Sequence, residues 1–163
     1  MIIREVDLNK ELEQLVAVIR RSFITVAHDF NITPGNAPTN PAFIDEESLL
    51  KSAEKKDLNY YGCYEQETIV GCYALEKAFH QTYYLERLAV IPEKRHQGYG
   101  RALVLDAFKR AKEKGGNNIS IAIIEEHEIL KNWYKNLGFV ETGRKTFAHL
   151  PFGVCFLRHV LEE

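Results

Sequence analysis

The sequence predicts an α/β fold, and three observations carry that expectation. Residues 85–91 form an apolar run that reads as a buried strand. A turn rich in glycine, residues 95–100, follows it, and residues 101–114 then repeat apolar side chains at helical spacing. Residues 119–124 form a second continuous apolar run, the pattern of a parallel strand buried on both faces.

Each element has its own signal. Residues 2–6 alternate as a short strand. Leu8, Leu12, Leu15, Val16, Ile19 and Phe23 then recur at helical spacing, with Asp7 placed as an N-cap. Residues 31–42 contain three prolines and read as a loop long enough to serve as a lid or binding wall. Residues 45–56 read as a second, shorter helix. Residues 60–64 and 69–77 are strands joined as a hairpin across Gln66, Glu67 and Thr68. Residues 83–90 form the next strand and 101–114 the next helix, capped by Gly115-Gly116. Residues 129–137 read as a last helix stopped at Gly138, and 139–142 and 154–161 as the closing strands. No internal repeat or linker composition divides the 163 residues, so the expected organisation is one domain over 1–163.

Composition narrows the function classes. A net charge of −2 without a basic face argues against nucleic acid or an anionic membrane as the main partner. The N-terminus lacks a signal-peptide pattern, and no apolar run is long enough to span a bilayer. Cys63, Cys72 and Cys155 lack CxxC spacing and read as free thiols of a reducing, cytoplasmic compartment. Neither the cysteines nor the six histidines are spaced as a metal site.

The turn Arg95-His96-Gln97-Gly98-Tyr99-Gly100 between strand and helix is an anion site in outline. The first N–H groups of a helix have no intrahelical partner, and its dipole is positive there. Glycines at 98 and 100 let a phosphate approach the backbone, and Arg95 adds a charged donor at the rim. A Walker loop is excluded, because no Gly-Lys-Ser/Thr follows. A dinucleotide fingerprint is excluded too, because the third glycine position holds Leu103. The pattern Arg/Gln-x-x-Gly-x-Gly/Ala fits. Together with the preceding Leu85-Glu86-Arg87-Leu88-Ala89-Val90-Ile91-Pro92, it resembles the acetyl-CoA-binding motif of the GNAT N-acetyltransferase superfamily. Trp133-Tyr134-Lys135-Asn136-Leu137-Gly138-Phe139 resembles that family's second signature, a Tyr followed four residues later by Gly-Phe.

The resemblance implies a mixed, mostly antiparallel sheet that splays between two parallel middle strands, with helices on both faces. It implies acetyl transfer from acetyl-CoA, as co-substrate, to a primary amine by direct attack in a ternary complex, without a metal. The pyrophosphate would lie on Arg95, His96, Gln97, Gly98, Tyr99, Gly100 and Arg101. The pantetheine arm would pair along Leu88, Ala89 and Val90, with the Leu88 N–H as oxyanion donor. Tyr134 would protonate the leaving thiolate. His127 stands where the family often has an Asn that contacts the arm.

The amine must also lose a proton, since a lysine-type ammonium has a pKa of about 10.4. Glu86, an even number of residues from Leu88 and Val90, is expected on their face. It would lie about 13 Å along the strand from Val90. An acidic residue in that apolar strand is costly without a purpose, so Glu86 is the candidate base and Tyr84 the second choice. Phe30, Phe43, Phe147 and Phe152 are expected to give the acceptor side an aromatic lining. The expected acceptor is a small-molecule amine. A protein or peptide acceptor and a non-catalytic acyl-CoA sensor are the alternatives, and a homodimer is a compatible assembly. A sensor would keep Arg95, Gly98 and Gly100 but need neither Glu86 nor Tyr134.

Overall fold

The computed structural model describes residues 1–54 and 58–162. A seven-stranded sheet has the order β1-β2-β3-β4-β5-β7-β6. Its strands are β1 (Ile2–Glu5), β2 (Leu58–Glu65), β3 (Thr68–Lys77), β4 (Thr82–Val90), β5 (Asn118–Ile124), β6 (Val140–Thr146) and β7 (Gly153–Val160). Only β4 and β5 run parallel, and every other pairing is antiparallel. The α/β class and the mixed, mostly antiparallel sheet with a parallel middle pair are therefore as expected.

Helix α1 (Leu8–Asp29) begins at Asp7, whose side chain accepts from the Asn9 N–H at 3.0 Å, while Glu11 takes the Asp7 N–H at 3.0 Å. This pair satisfies two of the N–H groups a helix start leaves open. Helix α1 outruns the expected apolar repeat and continues to Asp29. Helix α2 (Glu46–Ala53) starts at Asp45, which accepts from the Ser48 N–H at 2.8 Å. The end of that expected helix, Lys55 and Lys56, lies outside the described residues. Helices α3 (Tyr99–Glu113) and α4 (Glu128–Asn136) complete the fold.

Leu15, Ile19, Leu49, Tyr73, Leu103, Val104, Ile119 and Leu157 are fully buried around the sheet. Tyr73 reaches α3, where its hydroxyl donates to Asp106 at 2.7 Å, so α3 covers that face. Tyr60 faces the other way, its hydroxyl 2.7 Å from Ser52 Oγ in α2. Residues 31–45 are not a free lid. Ile32, Ala37 and Ala42 pack with Ala27 of α1 into a small second core that Phe30 and Phe43 border. Among the described residues, no helix is long and apolar enough to cross a membrane.

Candidate active site

β4 and β5 pair only where Thr82–Tyr84 meet Asn118–Ser120. Beyond that point each strand keeps its outer partner, β4 with β3 and β5 with β7, and the two part from each other. The β5-facing edge of residues 85–90 is thus left without a sheet partner. The gap opens into a cleft of about 1480 Å³ lined by residues of α1, β4, β5, α3, α4 and β7. Sites for one small ligand run to about 1,000 Å³ at most, so two reactants fit together here.

The turn at one end of the gap is built by conformation. His96 and Gly98 have φ of 62° and 90°. Gly98 is the N-cap of α3, and no side chain caps that helix. A Cβ at Gly98 would meet nothing within 4 Å, so its positive φ, not crowding, calls for glycine, and the helix start is sterically open. Gly100 has a different reason. A Cβ there would sit 3.2 Å from Trp133 Cζ2, so its absence lets α3 and α4 approach.

Arg95 does not reach outward as the sequence suggests. Its Nε donates to Val90 O at 3.2 Å, Nη1 to Thr25 Oγ1 at 3.1 Å and Nη2 to Ser22 O at 2.7 Å. The guanidinium braces the turn against β4 and α1, because three acceptors lie inward. Ile91 N–H donates to Val70 O on the β3 side at 3.0 Å, so the Val90 carbonyl faces the gap, where Arg95 takes it. Gln97 and Tyr99 are turned from the cleft. Gln97 Nε2 donates to Glu93 O at 3.2 Å, and the Tyr99 hydroxyl donates to Glu65. Lys94, His96 and Arg101 line the cleft with Gly98 and Gly100.

At the centre, β4 carries a bulge. Glu86 faces Ala74 and Ala89 faces Cys72, so three steps on β4 match two on β3. Arg87 takes up the extra residue with φ of 52°. Side-chain alternation therefore breaks, and the expectation that Glu86 shares the face of Val90 is corrected. Glu86 lies with Ala89 on the face of Tyr60 and α2, while Val90, opposite Gly71, lies on the α3 face. Arg87 turns to the same side as Glu86, its Nη1 donating to Ser52 Oγ at 3.0 Å and to the Tyr60 hydroxyl. Tyr84, Glu86, Arg87 and Leu88 all line the cleft.

Helix α4 supplies the opposite wall. His127 is its N-cap, its Nδ1 accepting from the Leu130 N–H at 3.4 Å, with its ring 5.2 Å from that of Phe30. Burial lowers its pKa, and with Nδ1 accepting from the helix, Nε2 is the ring nitrogen left to donate. Tyr134 is buried at 5 % exposure and held edge-on by Trp133 at 5.0 Å and Phe139 at 5.3 Å. Burial alone raises its pKa, and it borders the cleft. Lys131, 6 % exposed, ties α4 to the end of β5 through Glu125 Oε1 at 3.1 Å.

The acceptor side differs from the expected aromatic lining. Phe152 borders both the cleft and the second core, whereas Phe30 and Phe43 border that core without lining the cleft, and Phe147 lies against His149 and Lys145. Phe23, Phe79 and Phe156 take their place. The sequence carries no signal that separates them from core aromatics, whereas Arg87 was concealed by the unmarked bulge. Cys155 is buried, and burial first of all pushes its thiol up to about 12. Burial likewise raises Cys63 to about 11 and Cys72 to about 12.

The architecture is shared with solved acetyltransferases. The PaiA N-acetyltransferase from Thermoplasma acidophilum, in complex with coenzyme A, superposes with a TM-score of 0.77 at 21% identity, over 98% of each chain. The ribosomal-protein-S18-alanine N-acetyltransferase from Escherichia coli gives 0.76 at 13% identity, over 99% of this chain and 94% of its own. An aminoglycoside 6'-N-acetyltransferase complexed with coenzyme A gives 0.74 at 17% identity, over 100% and 98%. A search of curated protein sequences returned no match. The sequence model described as "Acetyltransferase (GNAT) family" matches residues 23–139, most of the chain and all of the cleft's central elements, and the protein belongs to that family.

Proposed function

We propose that the protein is an acetyl-CoA-dependent N-acetyltransferase acting on the primary amine of a small molecule. The observation that carries this reading is the parting of β4 and β5 after Tyr84 and Ser120, directly beside the open start of α3. A pyrophosphate suits the turn at 96–101, where helix N–H groups and the dipole favour an anion. Lys94, His96 and Arg101 supply positive or hydrogen-bonding groups at its border, and Arg95 holds the turn in shape. The pantetheine amides suit the gap-facing edge of residues 88–90 other than the Val90 carbonyl, which Arg95 takes. His127 Nε2–H is a donor from the opposite wall, so it replaces the hydrogen bond an Asn would give.

The amine nitrogen attacks the thioester carbonyl carbon. Negative charge gathers on the carbonyl oxygen, for which the Leu88 N–H is the candidate donor. The C–S bond then breaks. Glu86, on the face open to α1 and α2, takes the amine proton directly or through water. Tyr134, kept protonated by burial, gives its proton to the departing sulfur. The raised thiol pKa values leave no cysteine prepared as an acyl carrier, which favours direct attack in a ternary complex. The packed wall of residues 31–45 favours a small acceptor over a protein chain. Three buried free thiols suit a reducing compartment such as the cytoplasm.

The reading is tested by incubating the protein with acetyl-CoA and a panel of amines, detecting acetylated product by mass spectrometry. It is supported if product nitrogen is acetylated in step with free CoA thiol and initial-rate lines intersect. It fails if no amine yields product, and parallel lines would overturn direct attack.

A further inference from the structure

Arg87 has no part in the reaction just described, yet it occupies a costly position. A bulky residue at φ of 52° is uncommon, because the left-handed conformation crowds the Cβ of any residue with a side chain. Its guanidinium is partly buried and borders the cleft. Arg4, Arg21 and Arg110 each meet a carboxylate, at Glu11, Glu93 and Asp106. Arg87 forms no ion pair among the described residues. It is held by neutral oxygens, Ser52 Oγ and the Tyr60 hydroxyl, both on Nη1. The Nε–H and Nη2–H donors remain, and they form the edge of the guanidinium that matches a carboxylate with two parallel hydrogen bonds.

From this we infer that the acceptor is an amine that also carries a carboxylate, an amino-acid-like zwitterion, and that Arg87 reads the carboxylate. The inference rests on the N-acetyltransfer reading above. The bulge is what makes it possible. It puts Glu86 and Arg87, neighbours in sequence, on one face of β4. In a regular strand they would face opposite sides. An ammonium presented to Glu86 and a carboxylate a few bonds away presented to Arg87 would be fixed at both ends. The anchoring of Nη1 holds the fork still beforehand, which lowers the entropy lost on binding.

The test uses common α-amino acids, each matched with its primary amide, as acceptors for the wild type and for Arg87→Met and Arg87→Lys, with melting curves confirming the fold of each variant. The amide keeps the carbon skeleton and the amine and removes the anion; because it also lowers the amine pKa, kcat/KM is compared per unprotonated amine over a pH series. The wild type is expected to prefer the acid in kcat/KM on the order of ten- to a hundredfold. Arg87→Met should raise KM for the acids by a similar factor, with kcat little changed, and leave the amides unaffected. Arg87→Lys should recover part of the loss. Amides used as well as acids by the wild type, or equal losses on both in Arg87→Met, would overturn the inference and make Arg87 a brace for Ser52 and Tyr60. N-acetylation confined to neutral amines overturns this inference while the proposed function stands. Calorimetry on the CoA-loaded protein separates the opposite failure. Arg87-dependent binding of the acids without turnover supports the recognition and removes the activity, and absence of such binding overturns the recognition.

Discussion

Glu86 and Val90, four residues apart on β4, lie on opposite faces of the sheet. The extra residue taken up at Arg87 separates them. The carboxylate therefore faces α1 and α2, while Val90 packs toward Gly71 and Leu103 beneath α3. This divides the cleft into a face toward α1 and α2, proposed to take the acceptor, and a turn end, and each is open to separate tests.

Gly98→Glu is expected to abolish acetyl-CoA binding measured by calorimetry, since it adds bulk and negative charge at an open helix start. Gly98→Ala is the companion. It meets no neighbouring atom, so it should fold with a loss of about 1 kcal/mol from its positive φ and keep most of the affinity.

Tyr134→Phe keeps the ring between Trp133 and Phe139 and removes only the hydroxyl. Steady-state kinetics should show kcat lower by roughly ten- to a thousandfold, with acetyl-CoA affinity little changed. Unchanged kcat, with chemistry shown to limit turnover, would leave Tyr134 a packing residue.

Lys131→Ala should lower stability in urea denaturation, because it leaves Glu125 with Arg144 at 3.9 Å and an Oε2 that has no hydrogen-bond partner among the described residues. Lys131, first of all, holds the Glu125 pKa below its ordinary 4.5. The stability this contributes is full above that ordinary value and falls away as pH drops through the lowered one. The wild type should thus lose stability on acidification below about pH 4.5, and the variant should show a flatter slope there. Parallel slopes would contradict the coupling.

Much of this was legible in the sequence, and the exceptions have physical causes. Apolar spacing located the α-helices and the buried strands, but not the 3-10 turns at Pro41–Phe43 and Pro92–Lys94 or the full length of the exposed β6; Asp7 and Gly138 marked helix ends, Gly138 through its φ of 98°. The open turn before α3 was legible because Gly98 must supply a conformation. The bulge was not, since Arg87 replaces the Gly or Asn that would signal a positive φ, and side-chain parity then assigns Glu86 to the wrong face. Arg95 misled because an arginine at a rim looks alike whether its acceptors lie outward or, like Ser22 O and Val90 O, inward. Phe23 and Phe156 were hidden because an aromatic at regular spacing can face core or cleft.

Glu86→Gln nearly preserves shape and removes the base. The loss in kcat/KM should be large near neutral pH and shrink as pH rises toward the pKa of the amine, where free amine is abundant. The same fractional loss at every pH would exclude Glu86 as the base and move the role to Tyr84 or to water. A loss confined to amine affinity, with kcat unchanged, would make Glu86 an anchor for the ammonium.

Release of CoA thiol at saturating acetyl-CoA, followed with and without amine, tests the central claim most directly. The rate should rise and saturate with amine in the wild type, fall far below that in Tyr134→Phe, and vanish in Gly98→Glu. Tight acetyl-CoA binding with no amine-dependent release from the wild type, across the whole amine panel, would contradict it and leave the cleft a sensor of acyl-CoA.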